Sequence, residues 1–332
     1  MTYPIIDTHC DLLSYLAKVP NADPQSREIP CGLPFLKEGN VKMQVLAIYT
    51  DVAPGSMEFA AKQVGSFKAL LNMHRDEVCL ADRDFMASID KEEKIGLVCA
   101  IENAAGLGDE NADWTAIYTQ LENIIANTGR LAYISLTHHT ENRFGGGNYT
   151  DGVGLKDDGK RLLDYMGGKH IAIDLSHTSD LLAEGILTHI TTNNLEVPVI
   201  ASHSNFRSVW DHRRNITDEF AKEIIHRRGL IGVNFLRAFL DDDNPERIFD
   251  HIRYGFELGA EDCICFGADF FYTKDFHDKS RHPFYYPLVE DASKYPSVLD
   301  SLNSSLQKED LEKLAYGNAQ RFFKSVWTDQ GR

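Results

Sequence analysis

Short apolar runs recur along the chain, and nearly all of them end in a polar residue that could take part in chemistry. Eight such runs are present, at residues 4–11, 43–50, 95–102, 131–138, 171–177, 197–203, 230–235 and 263–269. Each run has the length of a strand, and nearly continuous apolarity is typical of parallel strands that are covered on both faces. The pattern therefore predicts eight parallel strands.

Helical patterns lie in most of the gaps between these runs. Amphipathic spacing predicts helices at residues 58–75, 114–127, 160–166, 218–228 and 245–258. Eight strands that alternate with helices indicate an α/β protein, a (β/α)8 TIM barrel, with a doubly wound open sheet as the alternative. We expect a single barrel domain over residues 1–332, with an extended loop after strand eight at about residues 270–296. The glycine-rich segment 144–149 lacks the spacing of a dinucleotide-binding motif and is predicted to be a flexible loop.

The composition narrows the classes of partner. The chain has 332 residues, of which 43% are apolar, and its formal net charge is −16. Such an acidic balance argues against binding to nucleic acid or to an anionic membrane, because both attract cations. No apolar run approaches the roughly 20 residues of a membrane helix, and the first residues lack the pattern of a secretory signal. Because the six cysteines suggest no disulfide framework, we expect a cytoplasmic protein.

The polar residues at the strand ends are all of kinds that bind metal. They are His9, Asp11, Glu102, His138, His177, His203 and Asp269. A barrel carries its site at the C-terminal ends of its strands, so we expect these side chains to meet there. Imidazole and carboxylate ligands without thiolates favour a catalytic zinc site over a structural one. Because the candidates exceed what one zinc ion takes, two ions that share a carboxylate are the simplest interpretation.

Each of these residues, taken alone, has an ordinary structural explanation. A lone H-x-D sequence occurs often by chance, and a single histidine is more often bonded to the neighbouring backbone. The metal site is predicted because six separate strand ends carry a ligand-type residue. His139 has the opposite strand parity to His138, so we expect it to face the helix layer. Other histidines that are not expected to be ligands are His74, His170, His189, His226, His251, His277 and His282.

Eight motifs in the same order make the chain resemble the membrane (renal) dipeptidase family of zinc metallopeptidases. Six of them contain the residues named above: Ile6–Asp11 (D-x-H-x-D), Ala100–Asn103, Ser135–His138 with Asn142 (L-T-H-x-x-x-N), Ile173–His177, Ser202–Asn205 and Gly267–Phe270. The other two are Arg213–Asn215 (R-R-N) and Glu290–Pro296 (E-D-x-S-K-Y-P). Any one of these motifs is weak, whereas eight in register are specific.

The resemblance implies a barrel of the metal-dependent hydrolase type that cleaves dipeptides and forms a homodimer. It implies that His9 and Asp11 bind the first zinc ion, with Asp269 beside it as a further ligand. His177 and His203 would bind the second zinc ion, and Glu102 would bridge the two. Contacts to the substrate would come from His138 and Arg214, with Asn215 in support. Two departures from the family pattern, Phe271 and Leu236, put the side-chain preference of the pocket in doubt.

The mechanism that follows from this assignment is attack on the peptide carbonyl by a hydroxide that bridges the metals. We expect His138 to donate to the developing oxyanion and Asp269 to carry the proton to the departing amine. The planar fork of Arg214 suits the terminal carboxylate of a dipeptide; the alternative is that Arg214 is an exposed loop charge.

Two other functions compete with a dipeptidase. One is another binuclear barrel hydrolase, acting on a phosphoester, a lactone or a cyclic amide. Many such barrels bridge their metals with a modified lysine on strand four, where this chain has Thr137 and His138. The other is an inactive metal-bound scaffold, but proteins of that kind usually lose a ligand, and this chain keeps all six candidates.

Overall fold

The strands alternate with helices throughout the computed structural model, which describes residues 3–327. The strands are β1 (Ile5–Cys10), β2 (Val41–Tyr49), β3 (Val78–Leu80), β4 (Ile95–Glu102), β5 (Leu131–Ser135), β6 (Ala172–Asp174), β7 (Val199–Ile200), β8 (Ile231–Val233) and β9 (Ile264–Phe266). All eight predicted strands are present, in the predicted order. The additional strand, β3, pairs with the first residues of β4.

Eight of these strands form a nearly closed parallel barrel. The hydrogen-bonded order is β7-β6-β5-β4-β2-β1-β9-β8. The remaining gap, between β7 and β8, is bridged where Ala201 pairs with Ile231. There the Ala201 amide donates to Leu230 and the Gly232 amide donates to Ala201, both at 2.8 Å. The predicted (β/α)8 barrel is confirmed, and the open doubly wound sheet is excluded for residues 3–327.

The helices surround this barrel. They are α1 (Leu12–Lys18), α2 (Leu33–Glu38), α3 (Ser56–Met73), α4 (Arg83–Ala87), α5 (Trp114–Thr128), α6 (Asp157–Met166), α7 (Asp180–Thr192), α8 (Asp218–His226), α9 (Arg237–Leu240), α10 (Arg247–Glu257), α11 (Tyr295–Leu302), α12 (Lys308–Glu312) and α13 (Asn318–Val326). Side-chain caps fix several starts: Asp113, Ser179 and Thr217 each accept a hydrogen bond from an amide three residues later. No helix within residues 3–327 is long and apolar enough to cross a membrane.

The apolar core has two layers, which follow the alternation of side chains along the strands. In β4, Val98 and Ala100 point into the barrel, whereas Leu97, Cys99 and Ile101 pack against the helices. Phe323 of α13 and Trp327 after it also belong to the inner layer. Glu102 continues the inward parity of β4, so its carboxylate ends up above this core, at the C-terminal end of the barrel.

Strand β1 departs from this alternation just before its end. Ile5 and Cys10 both belong to the outer layer although they are an odd number of residues apart, and Ile6 belongs to the inner layer. The pairing with β2 shifts register between Asp7 and Cys10, which marks a bulge. Strict alternation from Ile6 would point His9 outwards, so the bulge is what turns its imidazole inwards.

The segment at 270–296 follows β9 and is mostly irregular. It contains three short 3-10 turns, Lys279–Arg281, Pro287–Val289 and Ala292–Lys294, and leads into α11. The glycine-rich segment 144–149 is mostly buried rather than loosely exposed. A Cβ at Gly147 would lie 2.3 Å from the carbonyl oxygen of His138, so this segment packs directly against the backbone that follows β5.

Candidate metal centre

Three imidazoles approach the carboxylate of Glu102 from two sides. His9 Nε2 lies 3.4 Å from Glu102 Oε2. On the other oxygen, Oε1, His177 Nε2 lies at 3.0 Å and His203 Nε2 at 3.4 Å. These side chains come from the C-terminal ends of β1, β4, β6 and β7. The two oxygens of one carboxylate therefore face different imidazoles, and the rings of His9 and His203 stack on each other with their centroids 3.6 Å apart.

Two further carboxylates lie on the side of His9. His9 Nε2 is 4.0 Å from Asp11 Oδ2 and 3.7 Å from Asp269 Oδ1. The potential ligand atoms of His9, Asp11 and Glu102 lie within 4.8 Å of one another. Glu102 forms a second set of this kind with His177 and His203. The structure thus brings together all six predicted ligands, and Glu102 belongs to both sets.

The spacing and the unpaired atoms of this cluster fit a metal ion. Ligand atoms of a tetrahedral zinc ion with bonds of about 2.0–2.1 Å lie about 3.3 Å apart, close to the separations around Glu102. His9 Nε2 and Asp11 Oδ1 are buried and have no hydrogen-bond partner within residues 3–327. A buried polar atom without a partner is costly, and a bound cation would remove that cost at both atoms.

The electrostatics of the cluster point the same way. Burial raises the pKa of Glu102 to about 8 and that of Asp269 to about 6. The pKa of the Asp11 carboxyl is also raised well above its usual value by burial, and then by repulsion from Glu102. Three carboxylates at short range, two of them buried, repel one another unless cations lie among them. Burial also lowers the pKa of His177 and His203 well below 6.5, which leaves their nitrogen lone pairs free for a metal.

Two hydroxyl groups fix the tautomers of His9 and His203. The Tyr133 hydroxyl donates to the Thr8 carbonyl at 3.0 Å, so its contact with His9 Nδ1, at 2.7 Å, has the imidazole as donor. In the same way, Ser202 Oγ donates to Asp174 at 2.8 Å and accepts from His203 Nδ1 at 2.6 Å. Each Nε2 therefore presents a lone pair to the cluster, as a metal ligand must.

Two buried carboxylates outside the cluster support the strand ends. Asp174 Oδ1 accepts from the amides of Ser176 and Ser202, and this joins the segments after β6 and β7. Asp7 accepts from the amides of His9 and Ala268, and this joins β1 to β9. Asp7 and Asp174 lie within two of the sequence motifs, Ile6–Asp11 and Ile173–His177. Their position next to the candidate ligands did not reveal that they support the backbone.

Asp269 and His177 both have left-handed backbones, with φ of 63° and 65°. Such a conformation is uncommon for residues other than glycine, although aspartate and histidine adopt it more readily than most. The Asp269 side chain is held by Asn234, whose Nδ2 donates to Oδ2 at 2.8 Å and also contacts the His203 carbonyl at 3.1 Å. The other carboxylate oxygen of Asp269, Oδ1, faces His9 Nε2 at 3.7 Å.

Arg214 is buried behind the second set of ligands, with only 3% of its surface exposed. Its guanidinium donates to Ser204 Oγ and to the His203 carbonyl, each at 3.0 Å, and its Nε has no acceptor within the described residues. The alternative interpretation of Arg214 as an exposed loop charge is therefore wrong. The guanidinium keeps N–H groups that are not used by these two contacts.

Asn215 braces the segment that carries Arg214. Its Nδ2 donates to the carbonyls of Trp210 and Phe239, both at 2.9 Å. Its amide donates to the His212 carbonyl at 2.9 Å. Both of these acceptors are backbone carbonyls, so the Asn215 side chain supports the segment next to Arg214.

His138 lies beside the second set of ligands, and His139 does too. His138 Nε2 is 4.0 Å from Glu102 Oε1, and its ring centroid is 4.1 Å from that of His177. The ring of His139 lies 3.8 Å from that of His138 and 5.2 Å from that of His177. The prediction that His139 faces the helix layer is wrong. Strand β5 ends at Ser135, so strand alternation does not apply three residues later.

The two departures from the family pattern meet at one tyrosine. Leu236 is buried and its backbone pairs with Tyr285, while the amide of Phe271 donates to the Tyr285 hydroxyl at 3.1 Å. That hydroxyl in turn donates to the Asp269 carbonyl at 2.6 Å. Both positions therefore border the segment that holds Asp269, without contributing a ligand atom.

Comparison with known proteins gives matches over nearly the whole chain. A family model described as membrane dipeptidase (peptidase family M19) matches residues 1–330. An uncharacterised protein in the pqqA 5′ region of Klebsiella pneumoniae is 29% identical over 269 residues, which are 76% of this chain and 90% of that protein.

Solved structures of similar proteins share the fold. A dipeptidase AC, described as a metallopeptidase of family M19, has a TM-score of 0.80 and 21% identity, with 98% of this chain and 99% of that chain covered. A metallopeptidase from Rhodobacter sphaeroides, bound to a phosphinate mimic of the dipeptide L-Ala-D-Ala, has a TM-score of 0.80 and 20% identity, with 98% and 100% covered.

Proposed function

The chain belongs to the membrane dipeptidase family, peptidase family M19, and on that premise we propose that it is a zinc-dependent dipeptidase with two metal ions bridged by Glu102. The observation that carries this proposal is the division of the Glu102 carboxylate between His9 on one oxygen and His177 with His203 on the other. A carboxylate that faces two separate ligand sets is what a pair of neighbouring metal ions requires.

The ligands divide into two sets on this proposal. His9 and Asp11 hold the first ion with Glu102, and Asp269 lies beside it as a further ligand. His177 and His203 hold the second ion, again with Glu102. When bound, zinc supplies a water of lowered pKa as nucleophile at neutral pH and polarises the carbonyl of the substrate.

Arg214 and His138 contact the substrate itself. We assign the terminal carboxylate of the dipeptide to the unused N–H groups of Arg214, which offer the planar geometry that a carboxylate matches. His138 lies next to Glu102 and donates a hydrogen bond to the carbonyl oxygen as negative charge develops there. Burial lowers the pKa of His138 well below 6.5, so it acts as a neutral donor.

Asp269 is the group that moves the proton. Its Oδ1 faces the cluster, while Asn234 holds Oδ2 at 2.8 Å and so fixes the plane of the carboxylate. A carboxyl group of raised pKa can accept a proton from the attacking water and release it to the departing amine. The backbone of Asp269 is tied to Tyr285, which keeps the group in place during this transfer.

A panel of substrates tests the proposal directly. We expect the zinc-loaded chain to hydrolyse L,L-dipeptides, and L,D-dipeptides are included because the Rhodobacter sphaeroides neighbour binds an L-Ala-D-Ala mimic. Tripeptides, a lactone, a cyclic amide and a phosphotriester complete the panel. Turnover of the lactone, the cyclic amide or the phosphotriester without any dipeptide turnover would exclude a dipeptidase, and no turnover at all would favour an inactive scaffold.

The substitution Glu102→Gln provides the control for the panel. It retains the shape of the side chain but removes the charge that two cations share, so we expect loss of both activity and metal content. Metal content is measured per chain by elemental analysis after gel filtration. A homodimer remains an expectation from the family resemblance, which sedimentation would test, and a cytoplasmic location remains a prediction from the sequence, which cell fractionation would test.

A further inference from the structure

A second group of imidazoles lies beside the proposed centre and contains no carboxylate. His138, His139 and His177 each offer a ring nitrogen, and these atoms lie within 4.8 Å of one another. We propose that these three histidines form an additional metal site, which takes a further transition-metal ion when metal exceeds the needs of the centre around Glu102, and that this ion inhibits the enzyme. The inhibition, but not the binding, rests on the proposed function.

His177 can serve both sites only as an imidazolate: it binds the ion at Glu102 through Nε2 and the further ion through Nδ1, and the proton of Nδ1 is released to solvent when the further ion binds. Its Nε2 faces Glu102 Oε1 at 3.0 Å, whereas its Nδ1 is buried and has no hydrogen-bond partner within residues 3–327. Histidines that bind metal through one nitrogen nearly always donate the other N–H to a carboxylate, a carbonyl or water. His9 and His203 follow that rule through Tyr133 and Ser202, and His177 does not.

His139 connects the three imidazoles to solvent. Its ring is half-buried and meets the edge of Tyr149 at 4.9 Å, and 46% of the Tyr149 surface is exposed. The loop here is fixed by two backbone contacts at 2.9 Å, from the Tyr149 amide to His139 and from the Asn148 amide to His177. The positions of the imidazoles are therefore held by the backbone, and a hydrated cation can reach them from the rim.

The chemistry of the site predicts which ions it takes. Imidazole nitrogen suits zinc, copper and nickel, whereas magnesium, calcium and manganese prefer oxygen ligands. No negative charge lies within the set, and the positive charge of Arg214 acts on all three histidines. Binding must therefore be weaker here than around Glu102, so the site fills second, when zinc, copper or nickel is in excess.

An ion at this site would occupy the position from which His138 serves the substrate. His138 Nε2 lies 4.0 Å from Glu102 Oε1, next to where we place the peptide carbonyl. Coordination to a further ion uses the nitrogen lone pair and turns the ring, and the added charge lies against the substrate pocket. Excess zinc is therefore expected to inhibit reversibly, while excess manganese does not.

Metal binding tests the site independently of turnover. Equilibrium dialysis of the wild-type chain against rising zinc should show one more ion per chain than His139→Gln binds at the same free zinc concentration. His282→Gln is the matched control, because His282 is a histidine of the loop after β9 whose Nε2 contacts the backbone carbonyl of Phe276. The control should bind as many ions as the wild type. Circular dichroism verifies that each variant is folded, and His139→Ala serves if His139→Gln is not.

Inhibition gives the second readout. We expect His139→Gln to keep its basal dipeptidase activity and to raise the zinc concentration for half-inhibition by about tenfold or more. Identical zinc stoichiometry in the wild type and His139→Gln would overturn the proposed site, even if the chain proved to be an active dipeptidase. A further bound ion lost in His139→Gln would support the site even if no dipeptide were cleaved, since only the proposed function would then fail.

Discussion

Two hydroxyl groups decide how His9 and His203 face the centre of the barrel. The protons of Tyr133 and Ser202 are already donated to Thr8 and Asp174, so both hydroxyls can only accept from the imidazoles. Neither residue is a candidate ligand, yet each determines which nitrogen of its histidine carries a lone pair. At this scale the chemistry depends on where single hydrogen atoms lie.

Replacing Tyr133 with phenylalanine tests this arrangement. Tyr133→Phe leaves His9 Nδ1 without its acceptor, so we expect metal affinity at the first ion to fall by about 10–100-fold with little change in the fold. Competition with a chelator of known affinity measures the loss. Tyr286→Phe is the matched control, because it removes a hydrogen bond to Asp241, outside the cluster, and should leave metal affinity unchanged.

The substitution Asp269→Asn separates proton transfer from metal binding. The amide retains the size of the carboxylate and can still accept from Asn234, but it cannot carry the proton. We expect kcat to fall by about 10²–10⁴-fold, while His9, Asp11 and Glu102 keep most of the metal. Measurement of kcat and metal content on the same sample shows whether Asp269 transfers a proton or mainly binds metal. Loss of metal in proportion to activity would instead show that Asp269 is chiefly a ligand.

At the scale of elements, the glycine-rich segment is part of the site's framework. A Cβ at Gly147 would lie 2.3 Å from the His138 carbonyl oxygen and 2.6 Å from that of His139. We expect Gly147→Ala to destabilise the protein by about 1–3 kcal/mol and to lower activity, because His138 must move. Denaturant unfolding measures the change in the free energy of unfolding.

Gly65 provides the opposite case within the same chain. It lies inside α3, and a Cβ there would meet no described atom within 4 Å apart from the adjacent backbone of its own helix. Gly65→Ala should therefore stabilise the protein by about 0.5–1 kcal/mol, because alanine is the better helix former.

Equal stability of Gly147→Ala and wild type would show that the glycine-rich segment 144–149 is not packed as described.

The strands could be predicted because eight buried parallel strands leave eight apolar runs in the sequence. Strand β3 was missed because it has three residues, and it pairs only with the first part of β4. His139 was misplaced because the apolar run of β5 continues past the last strand residue, Ser135. The end of an apolar run therefore does not mark the end of a strand.

The convergence of the candidate ligands could be predicted because all parallel strands of a barrel end at one rim. The supporting contacts could not. Tyr133 contacts His9 across 124 residues of sequence, and no local pattern encodes such a distance. The bulge in β1, which turns His9 inwards, is likewise visible only in the pairing with β2.

At the scale of the whole molecule, we expect the core to fold without the proposed metal centre. Apolar side chains fill both the barrel interior and the layer between barrel and helices, and Phe323 with Trp327 extends the inner layer. We expect a chelator to abolish turnover while the circular dichroism spectrum and cooperative unfolding are retained. The melting temperature should fall, because bound metal adds about 4 kcal/mol when it is present at a thousand times its Kd.

Calorimetry of the chelated and reloaded protein tests this expectation. Recovery of activity and melting temperature on return of zinc would show that the fold survives without the ion. Non-cooperative melting after chelation would show instead that the centre is needed for folding.

The proposed ligands include His9, which lies in the bulge of β1, and Asp269, which follows β9. Because these residues are far apart in the sequence, they are synthesised at different times. During synthesis, Asp269 is made 260 residues after His9. No nascent fragment that stops short of that residue has the complete coordination sphere. On the proposed assignment, zinc loading therefore follows the synthesis of β9, which joins β8 to β1 in the barrel, and the folded protein has to compete with the metal buffers of its cell.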